Sequence, residues 1–188
     1  LFAHTVYKSY PMAHLDRGRF DRLTRWLSGL SVVNLSSVDT AGVELIDDWI
    51  DLLERTTPIR LMHTSGTTGK LSFVPRTALE FERSVIFMSH VVRDWFGPNS
   101  GPDMLREHRP LVAPGYRYGA AATQRGYRLM TEMWAGGEEN TLFMYPNARM
   151  SADIASLSGR LAAAEARGEQ GRLDLSAALL RRREEFVQ

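Results

Sequence analysis

One stretch of glycine and hydroxyl residues, set between two short apolar alternations, constrains this chain more than any other feature. Ile59 and Leu61 occupy alternate positions before the stretch, and Leu71 and Phe73 do so after it, which is typical of β-strands. Between them lie Thr64, Ser65, Gly66, Thr67, Thr68, Gly69 and Lys70. The pattern therefore predicts a strand, a loop and a second strand.

The predicted loop carries the chemical groups that bind phosphate. Gly66 and Gly69 permit backbone conformations that bring amide groups close to a ligand. The hydroxyls of the loop and the Lys70 ammonium can face the same anion as those amides. The ligand that this combination favours is a polyphosphate. The alternative is an ordinary connection between strands, in which glycine and hydroxyl residues are also common.

The loop is not a Walker A loop, although it ends in Gly-Lys. The Walker A pattern is Gly-x-x-x-x-Gly-Lys-Ser/Thr. Aligned on Gly69 and Lys70, it requires Gly at position 64 and Ser or Thr at position 71, but this sequence has Thr64 and Leu71 there. A Walker A loop also runs directly into a helix. Here the next helix signal is a capping box at residues 77–80, beyond the second predicted strand.

The loop sequence resembles the signature of the adenylate-forming enzymes, which include acyl- and aryl-CoA synthetases, adenylation domains and luciferases. That signature is usually Ser/Thr-Ser/Thr-Gly-Ser/Thr-Thr-Gly-x-Pro-Lys, and residues 64–69 match it position for position. The end departs from it: Lys70 occupies the variable position, Leu71 replaces the proline and Ser72 replaces the lysine. Together with residues 73–76, which follow it, this ending resembles the phenylacetate-CoA ligase and acyl-protein synthetase branch more than the long-chain acyl-CoA synthetases.

The resemblance implies activation of a carboxylic acid by ATP as an acyl-adenylate, followed by transfer of the acyl group to a thiol such as coenzyme A. It implies that the loop holds the β- and γ-phosphates of ATP, that Lys70 adds positive charge and that Mg²⁺ shares the phosphates. The predicted binding residues are Thr64, Ser65, Gly66, Thr67, Thr68, Gly69 and Lys70. Two alternatives stay open: a non-catalytic nucleotide- or phosphate-binding module, and an acyl-adenylate enzyme whose acceptor is an amine or a protein.

The other motifs of that family are not identified in this sequence. The family's Tyr-Gly-x-Thr-Glu motif contacts adenine and the metal. In this sequence Tyr118-Gly119 matches its first two positions, but alanines follow where threonine and glutamate are expected. No Thr-Gly-Asp motif for the ribose occurs, and no catalytic residue, including the family's C-terminal lysine, can be assigned. The chain opens at Leu1 and closes within a helical pattern. We therefore expect residues 1–188 to be a single partial domain, truncated at both ends, from the N-terminal portion of such an enzyme.

Strand and helix patterns alternate from Ile59 onward, which predicts an α/β fold with mostly parallel strands after the hairpin. The resemblance implies a layered sheet with flanking helices, part of the large N-terminal domain of an adenylate-forming enzyme. Three predicted helices have apolar faces that we expect to point into a core. The core-facing residues are Ile46, Trp49, Ile50 and Leu53 in the first, Phe81, Val85, Met88, Val92 and Trp95 in the second, and Ile154, Leu157 and Leu161 in the third, which opens at Ser151.

A second candidate site follows the short predicted strand Leu111–Ala113. Pro114-Gly115 is expected to end that strand sharply, because proline cannot donate to a strand ladder. The segment 114–119 would then be an aromatic loop flanked by glycines. It is interpreted either as part of an acyl pocket, as the resemblance implies, or as a tight structural turn.

Composition disfavours several classes of function. The chain has 188 residues and a net charge of +1, so it has no excess of basic residues that would predict binding to nucleic acid or an anionic membrane. It has no cysteine for a disulfide or a thiolate metal site, and no apolar run near the ~20 residues that span a bilayer. Its histidines lack metal-site spacing; His63, beside the loop, either bonds the backbone or reaches the phosphates. We expect a cytoplasmic enzyme whose partners are ATP and a small carboxylic acid.

Overall fold

The computed structural model describes residues 6–64, 66, 69–97, 103–168 and 177–187. Their contacts divide them into two compact units. The first unit contains the described residues up to Pro75 and those from Ser151 onward, and the second contains Arg76–Met150. A division of contacts does not test whether the units fold as one domain, so the single partial domain stays a prediction.

The first unit combines helices with a two-stranded sheet. Its elements are α1 (Met12–Asp16), α2 (Phe20–Ser28), α3 (Ile46–Thr56), β1 (Ile59–His63), β2 (Phe73–Thr77, whose last two residues belong to the second unit), α6 (Ala152–Ala166) and α7 (Ala177–Val187). The strands β1 and β2 pair with each other on either side of the predicted phosphate loop. This confirms the strand, loop and strand that the sequence predicted.

The core of the first unit is built on aromatic side chains around α3. The apolar face predicted for this helix is confirmed, since all four of its predicted residues are buried. The Trp49 ring packs edge-on against Phe73 of β2 at 5.2 Å between centroids, and its indole nitrogen donates to the Thr24 hydroxyl of α2 at 2.8 Å. Tyr10 in turn contacts Phe73 and Trp26 at 5.4 and 5.1 Å. These contacts hold α2, α3 and β2 together through one cluster.

The starts of α3 and α6 cap each other through two buried aspartates. Asp153 accepts hydrogen bonds from the backbone amides of Ile46 (2.8 Å) and Asp47 (3.0 Å) at the start of α3. Asp47 accepts from the Ala152 amide (3.0 Å) and the Ser151 hydroxyl (2.6 Å) at the start of α6. The first amides of a helix have no partner within that helix. Each aspartate therefore satisfies donors of the other helix and fixes the two helix starts against each other.

The second unit contains a strand, helix and strand that form a parallel pair. Its elements are α4 (Ala78–Trp95), β3 (Leu111–Gly119), α5 (Ala122–Met133), a 3₁₀ turn (Glu138–Asn140) and β4 (Thr141–Met150). β3 and β4 pair in parallel, with Leu111 opposite Thr141 at one end and Gly119 opposite Met150 at the other. This confirms the parallel strands and the general α/β class. The larger layered sheet of an adenylate-forming domain stays a prediction.

The start of α4 is confirmed, but its predicted core face is partly wrong. Thr77 and Glu80 form the expected capping box, in which the Thr77 hydroxyl accepts from the Glu80 amide at 3.2 Å. Among the predicted core residues, Met88 is 39% exposed and Trp95 is 80% exposed. Ser89 is buried instead, because its hydroxyl accepts a hydrogen bond from the Trp134 indole at 2.6 Å. The hydrogen bond between Ser89 and Trp134, at the end of α5, therefore lies on a face of α4 that the apolar stripe did not predict to be buried.

The predicted inward face of α6 is also corrected. The helix begins as expected, with the Ser151 hydroxyl accepting from the Ile154 amide, and Leu157 is buried. Leu161, however, is 42% exposed. Small residues form most of the buried face of this helix: Ala152, Ala155, Ser156, Gly159 and Ala164. A face of small residues permits close approach of another backbone, as at Gly159, where the Gly66 carbonyl lies against the helix.

The crossed caps predict a measurable pH dependence. Burial raises the pKa of Asp153 from 3.8 to about 6, and repulsion from Asp47 acts in the same direction. A raised pKa in the folded state means that the carboxyl group contributes most to stability below its unfolded pKa. This contribution is lost as the pH rises from about 4 to about 6.

We expect the free energy of unfolding of the parent, relative to Asp153→Asn, to fall by about 2–3 kcal/mol between pH 4 and pH 7, because the variant has no carboxyl group to ionise. Urea denaturation of both proteins across this range measures the difference. The variant also has one acceptor oxygen fewer at this position. This changes its free energy of unfolding by an amount that does not depend on pH. A difference that stays constant from pH 4 to pH 7 would contradict the account.

Candidate functional site

The ends of the predicted phosphate loop are closed by Thr64 and Ser72. The Thr64 amide donates to the Ser72 carbonyl oxygen at 3.2 Å, and the Ser72 amide donates to the Thr64 hydroxyl oxygen at 3.0 Å. The Thr64 hydroxyl, predicted to hold phosphate, therefore also closes the loop as an acceptor. Its own hydrogen can still be donated, since a hydroxyl both accepts and donates.

A tight turn between Gly66 and Gly69 shapes the centre of the loop. The Gly69 amide donates to the Gly66 carbonyl oxygen at 2.7 Å. Both glycines have positive φ, 67° and 81°, in the left-handed region that other residues rarely occupy. The predicted site residues Ser65, Thr67 and Thr68 lie outside the described residues, so their roles stay predictions.

The loop lies against α6 at Gly159. A Cβ atom at Gly159 would overlap the Gly66 carbonyl oxygen. A Cβ at Gly69 would come within 3.1 Å of the Ala163 Cβ, and one at Gly66 within 2.7 Å of the Leu71 side chain. Local packing therefore favours glycine at both positions, and their positive φ values favour it further. Gly66 and Gly69 therefore both lie close against α6.

Lys70 is tied to Tyr10, a residue that sequence reasoning did not connect with the loop. The Lys70 ammonium donates to the Tyr10 carbonyl oxygen at 2.5 Å and lies 4.4 Å from the centre of the Tyr10 ring. The Tyr10 hydroxyl donates to the Leu71 carbonyl oxygen at 2.9 Å, and burial raises its pKa, so it stays a neutral donor. Burial, and then the nearby charge of Lys8, lowers the pKa of Lys70. No sequence pattern linked Tyr10 to a residue so far along the chain.

His63, at the end of β1, is fully buried beside the loop. Its Nδ1 lies 2.9 Å from the Thr64 carbonyl oxygen. A carbonyl oxygen only accepts, so this contact places a hydrogen on Nδ1. The contact confirms the interpretation of His63 as a strand-end histidine bonded to the backbone.

The second candidate site is not a loop, contrary to the sequence prediction. Residues 114–119 continue β3, which runs to Gly119. Pro114 is accommodated because the β3–β4 register is irregular between Ala113 and Tyr116, where a ladder hydrogen bond is not needed. The Tyr116 ring stacks on Tyr145 of β4 at 4.7 Å.

The same part of the second unit contains a pocket of about 260 Å³ between β3 and the later part of α5. Its charged lining residues are already paired, Arg117 with Glu138 and Arg128 with Glu132. The pocket therefore has no net charge to favour an anion.

The described residues include no group of three or more His, Cys, Asp or Glu side chains that could hold a metal ion. None of the helices in the described part of the chain has the length and apolar character needed to cross a bilayer.

Comparison of the chain with protein-family models, curated proteins and solved structures found no match. The resemblance to adenylate-forming enzymes thus depends on the loop sequence alone.

The packing of the loop on α6 predicts opposite effects for two glycine-to-alanine substitutions within helices. Gly159→Ala should destabilise the protein by roughly 1–3 kcal/mol, because the added methyl group displaces the loop. Gly126→Ala in α5 should stabilise it by up to about 1 kcal/mol, because no atom lies within 4 Å of the added methyl group. Urea denaturation followed by circular dichroism measures both. A Gly159→Ala variant as stable as the parent would show that the loop does not lie on this helix.

Proposed function

We propose that this chain carries the phosphate-binding loop of a ligase that activates a carboxylic acid with ATP, as an acyl-adenylate, and transfers the acyl group to a thiol such as coenzyme A. One observation supports this most: the residues that match the family signature lie between two paired strands, with both glycines at positive φ. An ATP-dependent acid–thiol ligase would act in the cytoplasm, and we include that location in the proposal.

The described groups of the loop fit a phosphate anion. A lysine ammonium has three N–H donors, and the Tyr10 carbonyl oxygen accepts from Lys70. Two donors on Lys70 and the hydroxyl hydrogen of Thr64 can therefore bind phosphate oxygens without breaking the contacts that shape the loop. The Gly69 amide already donates to the Gly66 carbonyl oxygen. Gly69 would therefore contribute to phosphate binding through the backbone conformation that it allows.

The loop residues would act on the leaving group. ATP supplies the anhydride: the carboxylate oxygen bonds to the α-phosphorus, the bond from that phosphorus to the bridging oxygen breaks, and pyrophosphate leaves. Lys70 and Thr64 would stabilise the charge that develops on the pyrophosphate. The hydrogen bonds that tie Thr64 to Ser72 and Lys70 to Tyr10 would keep these donors in position before the reaction, which lowers the entropic cost of orienting them. Magnesium would take its ligands mainly from phosphate oxygens.

We expect the chain to bind Mg²⁺–ATP, with an affinity that falls about tenfold or more in Lys70→Met, because a charged hydrogen bond to phosphate is lost. Methionine keeps an apolar stem to pack on the Tyr10 ring. Arg55→Met is the matched control, since it removes one exposed positive charge before β1, at the opposite end of that strand from the loop. Isothermal calorimetry measures all three proteins, and melting temperatures verify that each is folded.

Equal affinity in the parent and Lys70→Met, or no binding at all, would contradict the proposed role of the loop. Exchange of pyrophosphate into ATP that depends on an added carboxylic acid separates acyl activation from phosphate binding alone. We expect this exchange from a polypeptide that also carries the family's adenine, ribose and catalytic-lysine motifs. Binding without exchange in such a polypeptide would favour a non-catalytic nucleotide-binding module.

A further inference from the structure

The chain uses lysine at two positions only, Lys8 and Lys70, among 23 basic residues. Every other basic residue is arginine. Lysine differs from arginine in presenting a compact charge with three rotatable donors, which suits binding to phosphate as a point charge. The two lysines lie 62 positions apart in the sequence (70 − 8), so their positions in the fold decide whether they act together.

The fold brings the segment that contains Lys8 to the C-terminal end of the loop. The Phe73 amide donates to the Tyr7 carbonyl oxygen at 3.1 Å, immediately before Lys8. Two residues after Lys8, the Tyr10 hydroxyl donates to the Leu71 carbonyl oxygen, and the Tyr10 carbonyl oxygen accepts from the Lys70 ammonium. Lys8 is thus held between two anchors to residues 70–73, and its side chain is half-buried.

The positive charges of Lys8 and Lys70 repel each other. The charge of Lys8 contributes, after burial, to lowering the pKa of Lys70. The hydrogen bonds of Tyr7 and Tyr10 to residues 70–73 keep the backbone of Lys8 beside the end of the loop. An anion bound between them would relieve the repulsion and gain attraction from both charges.

We propose that Lys8 is a second cation of the loop's anion site and binds, together with Lys70, the pyrophosphate portion of a nucleoside triphosphate. This inference rests on the proposed function of the loop. It adds a binding residue that the loop signature does not contain.

The first test is calorimetric titration of the chain with magnesium pyrophosphate, which excludes any contribution from an adenine pocket. We expect Lys8→Met to weaken binding about tenfold, because one charged contact is lost. Lys8→Arg keeps the charge and should stay within about threefold of the parent, and Arg55→Met within about twofold, because it removes only an exposed charge away from the loop.

The second test does not depend on a ligand. Reductive methylation with ¹³C-formaldehyde labels both lysines, whose charges are retained, and their NMR signals can be followed against pH. In Lys8→Met the pKa of Lys70 should rise relative to the parent, since the neighbouring positive charge is gone.

The outcomes separate the two proposals. If the parent binds pyrophosphate and Lys8→Met binds it equally well, the role of Lys8 is wrong while the proposed loop function stands. An unchanged Lys70 pKa in Lys8→Met would also overturn the inference, because the two charges would then not interact. If the parent does not bind pyrophosphate, the proposed function fails, and the role of Lys8 fails with it.

Discussion

The first unit depends on the crossed hydrogen bonds between the starts of α3 and α6. Asp47 and Asp153 are 106 positions apart (153 − 47), and each carboxylate satisfies amides of the other's helix. These bonds are buried, so losing either partner would leave donors unsatisfied at considerable cost. They fix the start of α6 against the start of α3, just after the chain returns to the first unit at Ser151. Because Gly159 follows on that helix, they also determine where the loop between β1 and β2 can lie.

The described residues of the loop are consequently held by contacts within the chain itself. One end is closed by Thr64 and Ser72, the centre is a turn between two left-handed glycines, and Gly159 leaves room for the Gly66 carbonyl. Packing favours the glycines, and structural hydrogen bonds use the Thr64 hydroxyl as an acceptor and one donor of the Lys70 ammonium. The hydroxyl hydrogen of Thr64 and two donors of Lys70 can still bind an anion. Packing and phosphate binding are compatible, since a preorganised loop binds an anion with less loss of conformational entropy.

Local patterns predicted much of this fold, and contacts between distant residues account for what they missed. The periodicity of α3 and the capping box at Thr77 depend on residues three or four apart, so the sequence revealed them directly. The tie between Lys70 and Tyr10 and the crossed aspartate caps join distant segments, and no local pattern indicates them. Trp95 was wrongly predicted as core because a stripe shows which residues are apolar and not which neighbour the helix meets. The roles of Ser65, Thr67 and Thr68 in the loop stay predictions, because these residues lie outside the described part of the chain.

The central claim is that the loop between β1 and β2 binds the phosphates of ATP, and amide NMR of the ¹⁵N-labelled chain tests it most directly. On titration with Mg²⁺–ATP, we predict that the amide signals of Gly66, Gly69 and Lys70 shift together, with one dissociation constant. The amide of Gly126, in the second unit, should not shift. Shifts confined to other parts of the chain, or unchanged loop signals at saturating nucleotide, would contradict the claim.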